Sequence, residues 1–273
     1  MSSDPNSTVP SKLSPTEGTV PEPQYFAALN YFFEHPDWGM TLLLGSLCML
    51  IPVINNMIMF GYRYEIVEMK LRFPDQLYPK FDFNRFSQYL TRGIWPFLID
   101  FILQFVINIP LQLSIWMMIG LANVAGASES QALIVVTIVV IPCVTLLIIL
   151  FIVALQILLV PVTIRAGLAQ DFGLALNFPW IKDFLRKMWL QTLLFNLFLL
   201  AIGSVLFIAG YMACCIGVIP VVFFLMAPVL AHYHEQLYRM YLAKGGEPIP
   251  LKPLQMEPAN TLPAPGTVPP KPL

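Results

Sequence analysis

The chain has 273 residues, of which 57% are hydrophobic and 11% charged, with a formal net charge of -1. A soluble domain is about 25% charged, so a water-facing globular enzyme is excluded, and the apolar content excludes disorder for the bulk of the chain. Fifteen basic against 16 acidic residues leave no positive field for a nucleic acid to follow.

Residues 1–24 hold five prolines and read as a disordered tail without the apolar run of a signal peptide. Residues 25–33 (YFAALNYFF) are apolar but too short to cross a bilayer, and an aromatic-rich helix at the headgroup level fits them. Crossing about 30 Å of hydrocarbon takes about 20 helical residues. Uncharged or nearly uncharged runs predict five spans, at about 40–60, 94–122, 133–160, 189–209 and 212–231. Pro52, Asn55 and Asn56 interrupt the first run, so it either crosses or dips in and returns.

Loop 61–93 is too short for a self-standing domain. Glu65 and Glu68, with Arg72 four residues after Glu68, read as a solvated salt-bridged helix face. Between Asn177 and Trp189, apolar Trp180, Ile181, Phe184, Leu185 and Met188 recur at helical spacing. Lys182, Asp183, Arg186 and Lys187 fall opposite, so this segment predicts a second interfacial helix, starting at Asn177 and Pro179. Phe86, Leu90, Arg92, Ile94 and Trp95 align without gaps with Trp180, Phe184, Arg186, Met188 and Trp189. That alignment suggests two parallel units, each an interfacial helix plus a membrane hairpin. Residues 245–273 hold nine prolines and read as a second disordered tail. The expectation is an all-α integral membrane protein, with a helical transmembrane domain at 25–244 and disordered Pro-rich termini.

Lys and Arg alternate between the connections as five spans require. Loop 61–93 carries six, segment 164–188 four and the C-terminal part four, while the connections near 123–132 and Gly210 carry none. The positive-inside rule then puts the N-terminus outside and the C-terminus in the cytoplasm. A re-entrant first run puts the N-terminus in the cytoplasm instead. Trp38, Trp95, Trp180, Trp189, Arg92, Arg186, His232 and His234 are the expected anchors at the membrane interfaces.

No GxGxxG, Walker A or GxSxG pattern occurs. Cys48, Cys143, Cys214 and Cys215 lie in apolar segments without CxxC spacing, and read as small hydrophobic packing residues. After His234 and Glu235, Tyr238 stands where a zincin helix needs its second His. No metal and no cofactor is therefore expected. The strongest functional signal is a polar stripe in the second span, Asp100, Gln104, Asn108 and Gln112, recurring every four residues. Asn55, Asn56, Thr145, Gln156, Gln191 and Asn196 are its expected partners. Such groups in hydrocarbon face either a polar path or another helix as hydrogen-bonding glue. Pro52, Pro110, Pro142, Pro220 and Pro228 interrupt the spans, which kinks helices and in some transporters opens binding sites.

Phe33-Glu34-His35-Pro36-Asp37-Trp38, then Ile51-Pro52, then Gly61-Tyr62-Arg63 resemble the opening of bacterial membrane proteins of domain of unknown function 4013. Leu77–Phe83 (LYPKFDF) is similar to that family's "LPxFDD" element, with Phe83 in place of the second acid and Lys80 in place of the usual acid. Cys215-Ile216-Gly217, Pro220, Ala231–His234 and Gln236–Arg239 resemble its end. The resemblance implies a multi-pass inner-membrane protein and carries no reaction, cofactor or catalytic residue. Three functions remain open. The first is a non-catalytic scaffold, partner subunit or envelope factor, working with other membrane proteins or with itself. The second is a small transporter or channel built on the stripe. The third is a lipid-acting enzyme with His232, His234 or the Asp82 loop at the headgroup plane.

Overall fold

The computed structural model describes residues 22–74, 76–127, 131–213 and 216–251. Most of both predicted tails, residues 128–130 and the Cys214–Cys215 pair lie outside the described residues. In chain order the elements are α1 (Ala27–Tyr31), α2 (Trp38–Cys48), α3 (Ile54–Arg72), α4 (Phe86–Ala127), α5 (Gln131–Ala169), α6 (Phe172–Ala175), α7 (Phe178–Met212), α8 (Val218–Phe224) and α9 (Leu230–Ala243). A π-helical turn, Leu225–Val229, joins α8 to α9. Among the described residues there is no strand.

Four helical stretches among the described residues are long and apolar enough to cross a bilayer: Phe83–Ala127, Thr137–Ala169, Phe178–Met212 and Val218–Ala243. The first predicted span, at 40–60, is not one helix. It breaks at Met49–Val53, between α2 and α3. Pro52 has no N–H to continue the ladder. Val53 takes a positive φ of 67°, and Ile54 N–H donates to Pro52 O at 2.8 Å, which is a γ-turn. Asn55 Nδ2 donates to Met49 O at 3.2 Å and caps the end of α2.

After that turn the chain climbs back to the level it came from. Phe81 N–H donates to Thr41 Oγ1 of α2 at 3.4 Å, and the Phe81 ring meets Tyr62 of α3 at 5.2 Å. The two helices therefore form a re-entrant hairpin. α2 is only about 16 Å long, half the hydrocarbon thickness. The two ends of the described chain meet. Gln24 and Gln236 of α9 exchange hydrogen bonds at 2.9 and 3.2 Å, and Tyr233 OH donates to Tyr25 O at 3.0 Å. No Lys or Arg occurs at 93–164 or 188–238.

The two predicted interfacial segments near the spans are the first turns of longer helices. α4 begins at Phe86 and α7 at Phe178, and each runs on into its span without a break. Asn177 Oδ1 caps α7 by accepting from Trp180 N–H at 3.1 Å. The buried face of α7 (Trp180, Ile181, Phe184 and Met188) belongs to the aromatic core. The start of the predicted C-terminal tail is docked there as well. Trp180 Nε1 donates to Glu247 O at 2.9 Å, and Ile249 N–H donates to Tyr238 OH at 2.7 Å.

α3 and α4 run antiparallel with their backbones almost touching. A Cβ on Gly93 would lie 1.8 Å from Met57 O, and one on Gly61 would lie 2.0 Å from Tyr89 O. Glycine is what lets helices come this close. The contact is locked by ion pairs. Glu68 pairs with Arg72 at 2.6 Å and with Arg92, and Glu65 pairs with Arg85 at 2.5 Å. Glu65 and Glu68 are both 1% exposed. The expected solvated face is instead an internal network, because α4 covers it.

Burial pushes the Glu65 carboxyl up to about 7, and the cations Arg85 and Arg92 only partly offset it. The folded protein thus binds a proton that the unfolded chain releases near pH ~4.3. The stability that this group contributes is full below that value and is lost as pH rises through about 7, on the order of 3 kcal/mol in all. Unfolding in detergent should show stability falling from about pH 5 to about pH 8, and Glu65→Gln should flatten that slope. An equal slope in both proteins would assign it to another group.

Candidate functional site

A cavity of about 320 Å³ lies where the re-entrant hairpin meets the spans. Seven helical elements wall it, with Met49 at the end of α2 and Val222 of α8 among the apolar lining. α3 supplies Asn56, Phe60 and Arg63, and α4 supplies Asp100 and Gln104. α5 supplies Gln156 and Thr163, α7 supplies Asn196, the π turn supplies Met226, and α9 supplies His234.

Helical spacing explains why these side chains converge. Asn56 and Arg63 are seven residues apart, as are Gln156 and Thr163, so each pair shares a face two turns apart. Asp100 and Gln104 are one turn apart. Side chains on a helix lean toward its N-terminus. α3 starts at the deep turn, so Arg63 leans inward and its guanidinium lies over Phe60, 4.7 Å from the ring centroid. α4 starts at the opposite level, so Asp100 leans toward Arg63.

The π turn orients Arg63. Pro228 lacks an N–H, and the helix widens around it. Within this turn the Met226 carbonyl accepts from Arg63 Nε at 2.6 Å. Tyr64 OH and His234 Nδ1 stand 3.3 Å apart in hydrogen-bond contact. Asn196 Nδ2 is buried without a hydrogen-bond partner. Among the described residues no ion pair engages Arg63 or Asp100.

The predicted polar stripe is thus split. Asp100 and Gln104 reach the cavity with Asn56, Gln156 and Asn196. Asn108 Nδ2 donates back to Gln104 O at 2.7 Å on its own helix, and Gln112 is exposed. Asn55 caps α2, and Thr145 Oγ1 donates to Ile141 O at 2.8 Å. Gln191 does not line the cavity.

The expected interface anchors divide too. Trp38, Trp189 and Arg186 are exposed and Trp95 is half-buried. Trp180 is enclosed in the core, Arg92 is buried in its pair with Glu68, and His234 is buried at the cavity wall. His232 stacks on Tyr31, with ring centroids 4.9 Å apart. Cys48 is buried and Cys143 exposed. Among the described residues no three of His, Cys, Asp and Glu gather as metal ligands do.

The family model described as "Protein of unknown function (DUF4013)" matches residues 44–216. The chain belongs to the DUF4013 family. Neither a curated protein nor a solved structure matches it. In this DUF4013 protein the matched segment begins in α2 and ends just before α8. It therefore contains the end of α2, the Pro52–Val53 turn, α3, the Gly61–Gly93 contact and every cavity residue from Asn56 to Asn196.

Three polar cavity residues, Arg63, Thr163 and His234, were not legible as such in the sequence. Arg63 reads as one of six cations in a basic loop, and His234 as a polar anchor. The signal for Arg63 was its shared helical face with Asn56. His234 had no comparable mark, since its inward direction depends on how α9 packs against α3.

Proposed function

We propose that this protein is a non-catalytic multi-pass membrane protein that holds a small polar ligand inside the bilayer, in the manner of a small transporter. The cavity carries this reading. Polar and ionisable groups in hydrocarbon are costly and are kept where a solute, an ion or water passes. Eight such side chains line one space here: Asn56, Arg63, Asp100, Gln104, Gln156, Thr163, Asn196 and His234. Its volume equals that of about ten waters, which suits a ligand of about that many non-hydrogen atoms.

The absence of catalysis is part of the proposal. Nucleophilic catalysis needs a hydroxyl or thiol within reach of a base. The hydroxyl in the cavity wall, Thr163, donates to carbonyls of its own helix at 3.0 and 3.1 Å. The inward His234 and the stacked His232 give little support to lipid chemistry at the headgroup plane. By the positive-inside rule the basic face is the cytoplasmic one, in an inner or plasma membrane. Both ends of the described chain then lie in the cytoplasm. The bilayer is the partner this reading requires.

The test is Asp100→Leu combined with Gln104→Leu. Groups kept for a ligand are poorly paired without it, so their removal should leave thermal stability equal or higher. Flux of small polar solutes into liposomes should be lost. Lower stability with unchanged flux would make these residues interhelical glue and end the proposal.

A further inference from the structure

Arg63 and Asp100 carry opposite charges, share one cavity and are not paired. Away from water, opposite charges attract strongly and close to contact unless something holds them apart. Both are held. Arg63 is fixed through Nε by Met226 O and lies over the Phe60 ring. Asp100 sits on α4, whose position is set by the backbone contacts at Gly61 and Gly93. The gap between the two charges is therefore built into the packing.

We infer that the cavity takes a zwitterion, with an anionic group against Arg63 and an ammonium against Asp100 and Gln104. The inference rests on the ligand-holding reading above and names the chemistry of that ligand. A single ion would satisfy one buried charge and leave the other alone, which is the costly arrangement. A zwitterion satisfies both and brings no net charge into hydrocarbon. The amides of Asn56, Gln104, Gln156 and Asn196 donate and accept, so they suit either pole. Asn196 Nδ2, buried and unpartnered, has a donor left for the anion. The shared chemistry, an ammonium joined to a carboxylate or phosphate, has two sources: a free amino-acid-like solute or an ethanolamine phospholipid headgroup.

The experiment uses the full chain in lipid nanodiscs and reads the unfolding temperature. The soluble probes are β-alanine and glycerophosphoethanolamine, with inorganic phosphate and ethanolamine as single-pole controls. The lipid arm compares phosphatidylethanolamine with phosphatidylglycerol. A zwitterion is expected to raise the unfolding temperature more than either single-pole control. Stabilisation by the soluble probes identifies a free solute, and stabilisation by phosphatidylethanolamine alone identifies the headgroup. Asp100→Asn keeps the shape of the site and should weaken zwitterion binding about tenfold or more, leaving phosphate binding unchanged. Arg63→Gln should weaken zwitterion and phosphate binding alike and leave ethanolamine binding unchanged. Single-pole probes that bind as well as zwitterions would overturn the inference and leave the ligand-holding function standing. No binding by any probe, or a cavity that holds water only, would overturn it too, and the flux measurement then decides the function separately.

Discussion

Glu68→Leu is expected to lower the unfolding free energy by about 3–5 kcal/mol. Glu68 is buried and engages two guanidiniums, Arg72 on its own helix and Arg92 on α4. Arg72 keeps partial access to water, but Arg92 is 7% exposed and has no exit. Deleting the carboxylate strands that charge, and an unpaired buried charge is far costlier than a lost surface pair, which is worth at most ~1 kcal/mol. Replacing both partners with Leu removes the stranded charge. The double variant should therefore recover much of the loss, and the cycle should show strong coupling. The check is denaturant or thermal unfolding of all four proteins in one detergent. A single-variant loss below ~1 kcal/mol would show that water reaches the pair.

Gly93→Val should be as damaging, by a different route. The new Cβ would lie 1.8 Å from Met57 O and 2.8 Å from Gly61 N. These are backbone atoms of α3 and cannot turn aside as a side-chain tip does. Overpacking costs about 1–3 kcal/mol where side chains adjust, and more where they cannot. The expected result is a loss above ~3 kcal/mol or no folded protein. Gly120→Ala and Gly126→Ala are the controls, because a Cβ at either meets nothing within 4 Å. They should be neutral or stabilise by up to ~1 kcal/mol through helix propensity. A Gly93→Val protein as stable as those controls would mean that α3 and α4 are not in backbone contact.

The spans from 94 onward were legible because lipid demands long uncharged runs, and composition records them directly. The region before residue 94 was harder. Residues 40–60 satisfy the same length criterion, yet a Pro52–Val53 turn folds them back. The distinction depends on what α2 and α3 pack against, namely Phe81 and Phe223. Asp100 and Gln104 were visible as polar groups inside an apolar helix. Arg63 was hidden because it belongs to a charged segment, and charge count does not tell a buried cation from a solvated one. Glu65 and Glu68 were misplaced for the same reason: the i, i+4 spacing of Glu68 and Arg72 is what an exposed helix shows, and only α4 lying over them turns this face into a core.

By itself, then, the sequence determined the solvent of this protein, its helical class and the grouping of its cations, since each follows from local composition. The tertiary structure decided the break of the first apolar run into a hairpin, the meeting of the two ends of the described chain and the cavity. Those depend on residues far apart in the chain, such as Arg63 and Met226 or Gln24 and Gln236, meeting through helix packing that no local pattern encodes.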